Sequence, residues 1–138
     1  MSSSAARCLF CVIVTLISSC ANAFDLNGAW ATDVSSCQKI FVTKDKKVTM
    51  TRNADIYGDG FIVEGNQIRK QNTTCKITGR KEEAGVLNLI AVCSTEIAVL
   101  DAQKISIKIE GDDRLTLNFS SSPDMGTRYS RCKLLSAP

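Results

Sequence analysis

Apolar and polar residues alternate with a period of two along most of the chain. The clearest examples are residues 104–110 (KISIKIE) and residues 114–119 (RLTLNF), which are joined by the short polar segment 111–113 (GDD). Alternation of this kind is typical of a β-strand with one buried face. A short polar segment that contains glycine favours a tight turn. The pattern therefore predicts a β-hairpin over residues 104–119.

Three further stretches predict strands. Residues 47–51 and 74–78 alternate in the same way, with threonine and lysine at the polar positions. Residues 86–93 are apolar except for Asn88. A continuous apolar run of this length predicts a strand that is covered on both faces.

Short polar turns separate these runs, and only residues 31–38 suggest a helical turn. Residues 96–100 fit a helix or a strand equally well. Short strands separated by polar turns indicate an antiparallel meander. In a small domain, about eight to nine such strands form an all-β barrel or sandwich. We expect a small closed or partly closed barrel, because closure removes exposed strand edges.

The first residues of the chain have the pattern of a secretory signal peptide. Arg7 is the only charge, residues 8–17 are apolar with one exception, and residues 21–23 (ANA) form a cleavage motif of small side chains. The apolar run is shorter than the ~20 residues that a membrane-spanning helix needs. We therefore expect a signal peptide over residues 1–23, one mature domain over residues 24–138, and no transmembrane span in that domain.

A lipoprotein leader is the alternative. Residues 17–20 (ISSC) resemble a bacterial lipobox, in which Cys20 is lipidated and becomes the first residue of the mature chain. This route would leave a lipid anchor at Cys20. Either route exports the protein, so we expect a periplasmic or secreted location.

The remaining cysteines predict disulfides. Three of the seven cysteines lie in the leader, which leaves Cys37, Cys75, Cys93 and Cys132. Four spaced cysteines in an exported chain indicate two bridges, and four cysteines allow three pairings. Cys75 and Cys93 are nearly equidistant from a turn at residues 83–85, so they would face each other across a hairpin. We therefore expect the pairs Cys75–Cys93 and Cys37–Cys132, the second tying the first segment to the last.

Charge and composition argue against several functions. Removing the leader with Arg7 leaves 16 basic and 14 acidic side chains, a net charge of +2. The two signs are interspersed, so we expect no nucleic-acid partner. The chain contains no histidine, which excludes Ser-His and Cys-His nucleophilic pairs and histidine-ligated metal sites. Oxidised cysteines would leave no thiolate. We expect a non-enzymatic protein with no catalytic residues, no metal and no cofactor.

The segment Gly28-Ala29-Trp30, at the entry to the first predicted strand, resembles the Gly-x-Trp motif of the lipocalin (calycin) family. The resemblance implies a barrel with Trp30 closing one end, packed against an arginine or lysine of the last strand. Arg128 and Arg131 are both candidates for that contact. The chain is closer in length to small lipocalin-like inhibitors of bacterial metalloproteases than to most lipocalins.

Two functional hypotheses follow. The favoured one is an exported protein-binding module, inhibitor-like or associated with the cell envelope, whose partner is unknown. The alternative is a lipocalin-like barrel that binds a small apolar ligand. Tyr57 and Phe61 belong to an apolar cluster beside glycines and are candidates for a pocket rim or contact surface. A cavity of several hundred Å³ would favour the ligand, whereas a filled core with an exposed apolar patch would favour the partner.

Overall fold

The computed structural model describes residues 23–119 and 125–134. The expected leader, apart from its last residue, and the expected lipid anchor at Cys20 lie outside the described residues. The described chain forms ten strands, one short α-helix and two 3-10 turns: β1 Gly28–Ala31, a 3-10 turn Val34–Ser36, α1 Cys37–Ile40, β2 Phe41–Lys44, β3 Lys47–Met50, a 3-10 turn Ala54–Tyr57, β4 Gly60–Glu64, β5 Gln67–Arg69, β6 Thr74–Glu83, β7 Val86–Ser94, β8 Val99–Gly111, β9 Arg114–Phe119 and β10 Thr127–Arg131. Within these two ranges, no helix is long and apolar enough to cross a bilayer.

Eight of the strands close into an antiparallel barrel with the order β1-β10-β9-β8-β7-β6-β5-β4. From β4 to β10 each strand pairs with the next one along the chain, and β1 closes the ring by pairing with both β10 and β4. The predicted all-β meander and the predicted barrel are therefore confirmed. β2 and β3 form a separate two-stranded sheet that is inserted between the first two barrel strands.

The barrel strands bury alternate residues in the interior. On β7, Leu87 and Leu89 are buried, whereas Asn88 and Ile90 between them are exposed. The prediction that residues 86–93 are covered on both faces is therefore wrong. Among the described residues, none covers Ile90 on the outer face of β7, and this apolar side chain is 46% exposed. On β7, therefore, apolar side chains occupy both faces although only the inner face is fully buried.

The inserted segment builds a second, smaller core on the outside of the barrel. Ala29 and Ala31 on β1 and Ile62 on β4 point outward, where they pack with Ile40 and Phe41. Small alanine side chains let α1 and β2 lie close to the barrel wall. Gly60 has the same role, because a Cβ atom at that position would lie only 2.9 Å from Cζ of Phe41.

Both expected disulfides are present. Cys75 and Cys93 are direct partners on β6 and β7. Cys37, at the start of α1, is joined to Cys132, which follows β10. The second bridge therefore lies beside the pairing of the first and last strands, where the barrel closes.

Removing each bridge should destabilise the domain to a different degree. The bridges close loops of 95 and 18 residues. In the chain-entropy model the long loop contributes about 4 to 5 kcal/mol and the short loop about 3 kcal/mol. We expect urea unfolding to show a larger loss for the Cys37→Ala/Cys132→Ala variant than for the Cys75→Ala/Cys93→Ala variant. The reverse order would show that barrel closure does not depend on the long bridge.

Candidate functional site

Trp30 is fully buried near one end of the barrel. Residues 24–27, which we call the N-terminal strap, cross that end, and the indole Nε1 donates a hydrogen bond to the carbonyl of Leu26 at 2.9 Å. The side chain of Asn27 accepts from the amide of Gly65 in the turn after β4. Strap and turns together cover this end, which is called the closed end below.

Arg131 is the residue that stacks on Trp30. Its guanidinium carbon lies 4.3 Å from the centroid of the indole ring, and Trp30 and Arg131 are paired across β1 and β10. The guanidinium also donates to the carbonyls of Asn27, Asp25 at 2.7 Å and Asp112 at 3.1 Å. It therefore connects the last strand, the strap and the turn between β8 and β9.

The other candidate, Arg128, is exposed and pairs with Glu110 at 3.3 Å on the outside of the barrel. Successive residues of a strand face opposite sides. An odd separation of three residues therefore puts Arg128 and Arg131 on opposite faces of β10, so only one of them reaches the indole.

Gly28 has two reasons to be glycine. Its φ of +127° lies in a region that side chains disfavour. A Cβ atom there would also lie 3.1 Å from Nη1 of Arg131. The glycine of the Gly-x-Trp segment thus makes room for the arginine that covers the tryptophan.

Four aromatic rings follow one another through the barrel interior. The ring centroids are 6.2 Å apart for Phe24 and Trp30, 6.4 Å for Trp30 and Phe61, and 4.9 Å for Phe61 and Tyr129. We call these four residues the aromatic column. The column begins at the closed end and fills much of the barrel interior.

A cavity of about 190 Å³ lies beyond the column, toward the other end. We call this the open end, and it contains the connections between β5 and β6 and between β7 and β8. The cavity walls are mostly apolar, with a few polar groups, and comprise Phe61, Ile68, Lys70, Thr73, Cys75, Cys93, Leu100, Gln103, Ile105, Leu117, Phe119 and Tyr129.

A polar network lies beside the cavity. The buried Tyr129 hydroxyl donates to the carboxylate of Asp59, which also accepts from Lys70 Nζ at 3.1 Å. Burial, and then the hydrogen bond and charge of Asp59, raise the pKa of Tyr129 well above its ordinary value. The phenol therefore stays protonated and acts as a hydrogen-bond donor.

Exposed apolar side chains surround the open end. Ile97 is 96% exposed and Met125 is 81% exposed. Met125 lies two residues before β10, whose first residue, Thr127, pairs with Leu117 on β9. The set, which we call the apolar rim, comprises Ile97, Val99, Leu100, Phe119 and Met125.

The structure separates the two aromatic residues that the sequence groups together. Tyr57 is 42% exposed on the inserted segment, with Lys39 Nζ 5.4 Å from its ring centroid. Phe61 is 1% exposed and belongs to the aromatic column. Phe61 faces inward on β4 and lines the cavity, so it does not share an exposed contact surface with Tyr57, whereas its position is compatible with the predicted pocket rim.

The residues of the open end have no strong local signal in the sequence. Residues 96–100 fit a helix or a strand equally well. Val99 and Leu100 are adjacent apolar residues, which interrupts the alternation of apolar and polar positions beside a turn, and this interruption was the strongest indication of an exposed apolar site. Asp59 and Tyr129 are 70 residues apart, and nothing local in the sequence connects them. Only the pairing of β1 with both of its neighbours brings their strands together.

The arrangement is suited to binding. An apolar cavity with a protonated phenol and an ion pair at its edge can hold an apolar group and orient a polar one. No cluster of three or more histidine, cysteine, aspartate or glutamate side chains that could hold a metal is found within residues 23–119 and 125–134.

No protein-family model, no curated protein and no solved structure matches the chain. The strand pairing alone shows the closed barrel. Membership of the lipocalin family stays a prediction, which rests on Gly28, Trp30 and the arginine over the indole.

The loss of stability caused by a substitution at the closed end should increase with the burial of the side chain that is replaced. We expect Trp30→Ala to cost about 3–5 kcal/mol, as large core truncations do. Arg131→Ala removes a cation–π contact of about 0.5–2 kcal/mol and several hydrogen bonds. Arg128→Ala is the matched control and should cost less than about 1 kcal/mol, as exposed ion pairs do. Urea unfolding of the three variants checks this order, and equal losses for the two arginines would contradict it.

Proposed function

We propose that the protein is an exported, non-enzymatic protein-binding module that contacts its partner through the apolar rim. The observation that carries this proposal is the exposure of five large apolar side chains around one end of the barrel. Several large apolar side chains exposed at one end of a small domain are typical of an interaction site. The other exposed large apolar residues of the described chain are spread over the inserted segment and the wall of β7.

The size of the cavity favours a protein partner over a free ligand. Ligand pockets usually have volumes of about 300–1,000 Å³, whereas this cavity has about 190 Å³. An apolar cavity of about 150 Å³ holds one benzene molecule. The space beside Phe61 and Tyr129 is therefore sufficient for about one aromatic ring or one large apolar side chain.

The apolar rim and the cavity together resemble the centre of a protein–protein interface. Binding energy at interfaces is concentrated in a few apolar or aromatic anchors that fill pockets, surrounded by contacts that exclude water. An apolar side chain of the partner in the cavity would be such an anchor. Lys70, whose Nζ lies 5.6 Å from the centroid of Phe119 and 3.1 Å from Asp59, would supply polar contacts at its edge.

The compartment is part of the proposal. Two disulfides are compatible with an oxidising extracellular or periplasmic environment. The arginine over Trp30 and the small closed barrel support the resemblance to lipocalin-like inhibitors. An inhibitor or envelope-associated binding module is therefore the more specific form of this hypothesis.

Changing the apolar rim should abolish partner binding without unfolding the barrel. We expect the variant Ile97→Ser/Val99→Ser to capture at least tenfold less partner from periplasmic extract or culture medium than the unmodified domain. A loss of about 1.4 kcal/mol from two anchors suffices for that factor. Quantitative mass spectrometry after crosslinking measures the capture.

Ile90→Ser is the matched control, since it removes an exposed apolar side chain from the wall of β7. It should capture the same partner in the same amount as the unmodified domain. Equal capture by all three proteins would show that the rim is not the binding surface.

A small apolar ligand is the second candidate, and the cavity itself is the observation that favours it. Its apolar lining includes Ile68, Ile105 and Leu117. A ligand of this site would be limited to roughly the size of one substituted aromatic ring or a short acyl chain.

Native mass spectrometry of the purified mature domain separates the two candidates. If a ligand is bound, the mass of the protein should exceed the mass of the chain alone. Ile68→Phe should remove this excess, because the larger side chain reduces the volume of the cavity. Ile97→Ser/Val99→Ser should retain it. Unfolding temperature should establish that the Ile68→Phe domain is folded. The mass of the chain alone in all three proteins would contradict the ligand hypothesis.

A further inference from the structure

The backbone of Phe24 is held at the closed end by two charged side chains. Its amide nitrogen donates to Oε2 of Glu82 at 3.2 Å, and its carbonyl accepts from the guanidinium of Arg80. Its ring is partly buried and packs on Trp30. Ala23, one residue earlier, is exposed. Phe24 is therefore packed against the barrel at both its backbone and its ring.

An open groove lies beside this nitrogen. The groove has a volume of about 470 Å³, and its lining includes the acidic residues Asp25, Glu82, Asp112 and Asp113, together with Arg131. The guanidinium of Arg131 is engaged by backbone carbonyls and the indole ring. The groove is thus acidic where the nitrogen of Phe24 lies.

We propose that the chain is hydrolysed between Ala23 and Phe24 and that Glu82 then binds the new α-ammonium group of Phe24. In this step water adds to the carbonyl carbon of Ala23 and the C–N bond breaks. Ala23 keeps the new carboxylate, and the nitrogen of Phe24 takes up protons to become an ammonium group. The neutral amide donor of the intact chain is replaced by a cation at the same carboxylate.

This exchange strengthens the contact for a physical reason. In the intact chain Glu82 already accepts a charge-assisted hydrogen bond from the amide of Phe24, and an ammonium group adds the Coulomb attraction between two opposite charges. The acidic lining of the groove adds a favourable potential for a cation and none for an amide. Processing would therefore fasten the strap and complete the closed end, independently of what the apolar rim binds.

The alternative leader leads to a different structure here. A cut before Cys20 would leave residues 20–23 joined to Phe24, whose nitrogen would remain a neutral amide. The acidic groove would then receive no ammonium group. The two processing routes are therefore distinguished by the charge on a single nitrogen.

The first test is the mass of the processed protein. The full chain, expressed with its own leader in a bacterial host and recovered from the envelope and the medium, should have the mass of residues 24–138 with two disulfides. Peptide sequencing should place Phe24 at the amino terminus. A lipidated terminus at Cys20, or a terminus at any other residue, would overturn the proposal.

The second test measures the amino group itself. An unperturbed α-amino group has a pKa of about 7.7–8.0. Glu82 on β6 contacts this nitrogen, Arg80 on β6 contacts the carbonyl of the same residue, and the other charged residues of the groove are Asp25 on the strap, Asp112 and Asp113 on the turn before β9, and Arg131 on β10. Because carboxylates outnumber guanidinium groups, NMR titration of ¹⁵N-labelled Phe24 should show a pKa raised by about 0.5 unit or more.

Glu82→Gln should remove most of that increase. Glu83→Gln is the matched control, because it removes an equal charge one residue away, where Glu83 pairs with Lys81 at 3.1 Å. The control should keep the raised pKa. Equal values in both variants, or an ordinary value in the unmodified domain, would show that Glu82 does not bind the terminus.

Discussion

The contact between Arg131 and Trp30 is the interaction on which the closed end depends. The guanidinium covers the indole ring and donates to carbonyls of the strap and of the turn after β8. It therefore joins the first strand, the last strand and two segments that are far apart in sequence. An arginine left there without these carbonyls would have partly buried donors that lack hydrogen-bond acceptors, which is costly. The contact thus requires the barrel to close, and closure in turn provides the partners of the arginine.

The position of Trp30 also determines where the barrel can have a cavity. The indole is the second ring of the aromatic column, and Phe61 and Tyr129 continue the packing toward the open end. The aromatic column occupies the interior toward the closed end, and the cavity lies beyond it beside Ile68, Ile105 and Leu117. A narrow eight-stranded barrel is expected to be filled by side chains or to hold one small group. The candidate site is the part of the barrel interior that these side chains leave unfilled.

The local pattern of the sequence predicted the fold more completely than it predicted the site. Alternation and turn residues were sufficient for the strands, because each strand buries one face. The choice between Arg128 and Arg131 could not be made from local pattern, since it depends on the register of β10 against β1. The apolar run over β7 was misleading because Ile90 faces solvent. The polar network of Asp59 and Tyr129 forms only when strands that are distant in sequence become neighbours in the barrel. No local sequence pattern therefore predicts it.

The two ends of the barrel can carry separate tasks. Phe24 and its acidic groove lie at the closed end, whereas the apolar rim surrounds the open end. A strand of six residues such as β9 spans roughly 20 Å, which is longer than the reach of screened electrostatic interactions at physiological salt. A charge created at the amino terminus would therefore have little direct effect on the rim. Binding at the rim is thus expected to be insensitive to how the leader is removed, provided that the barrel has closed.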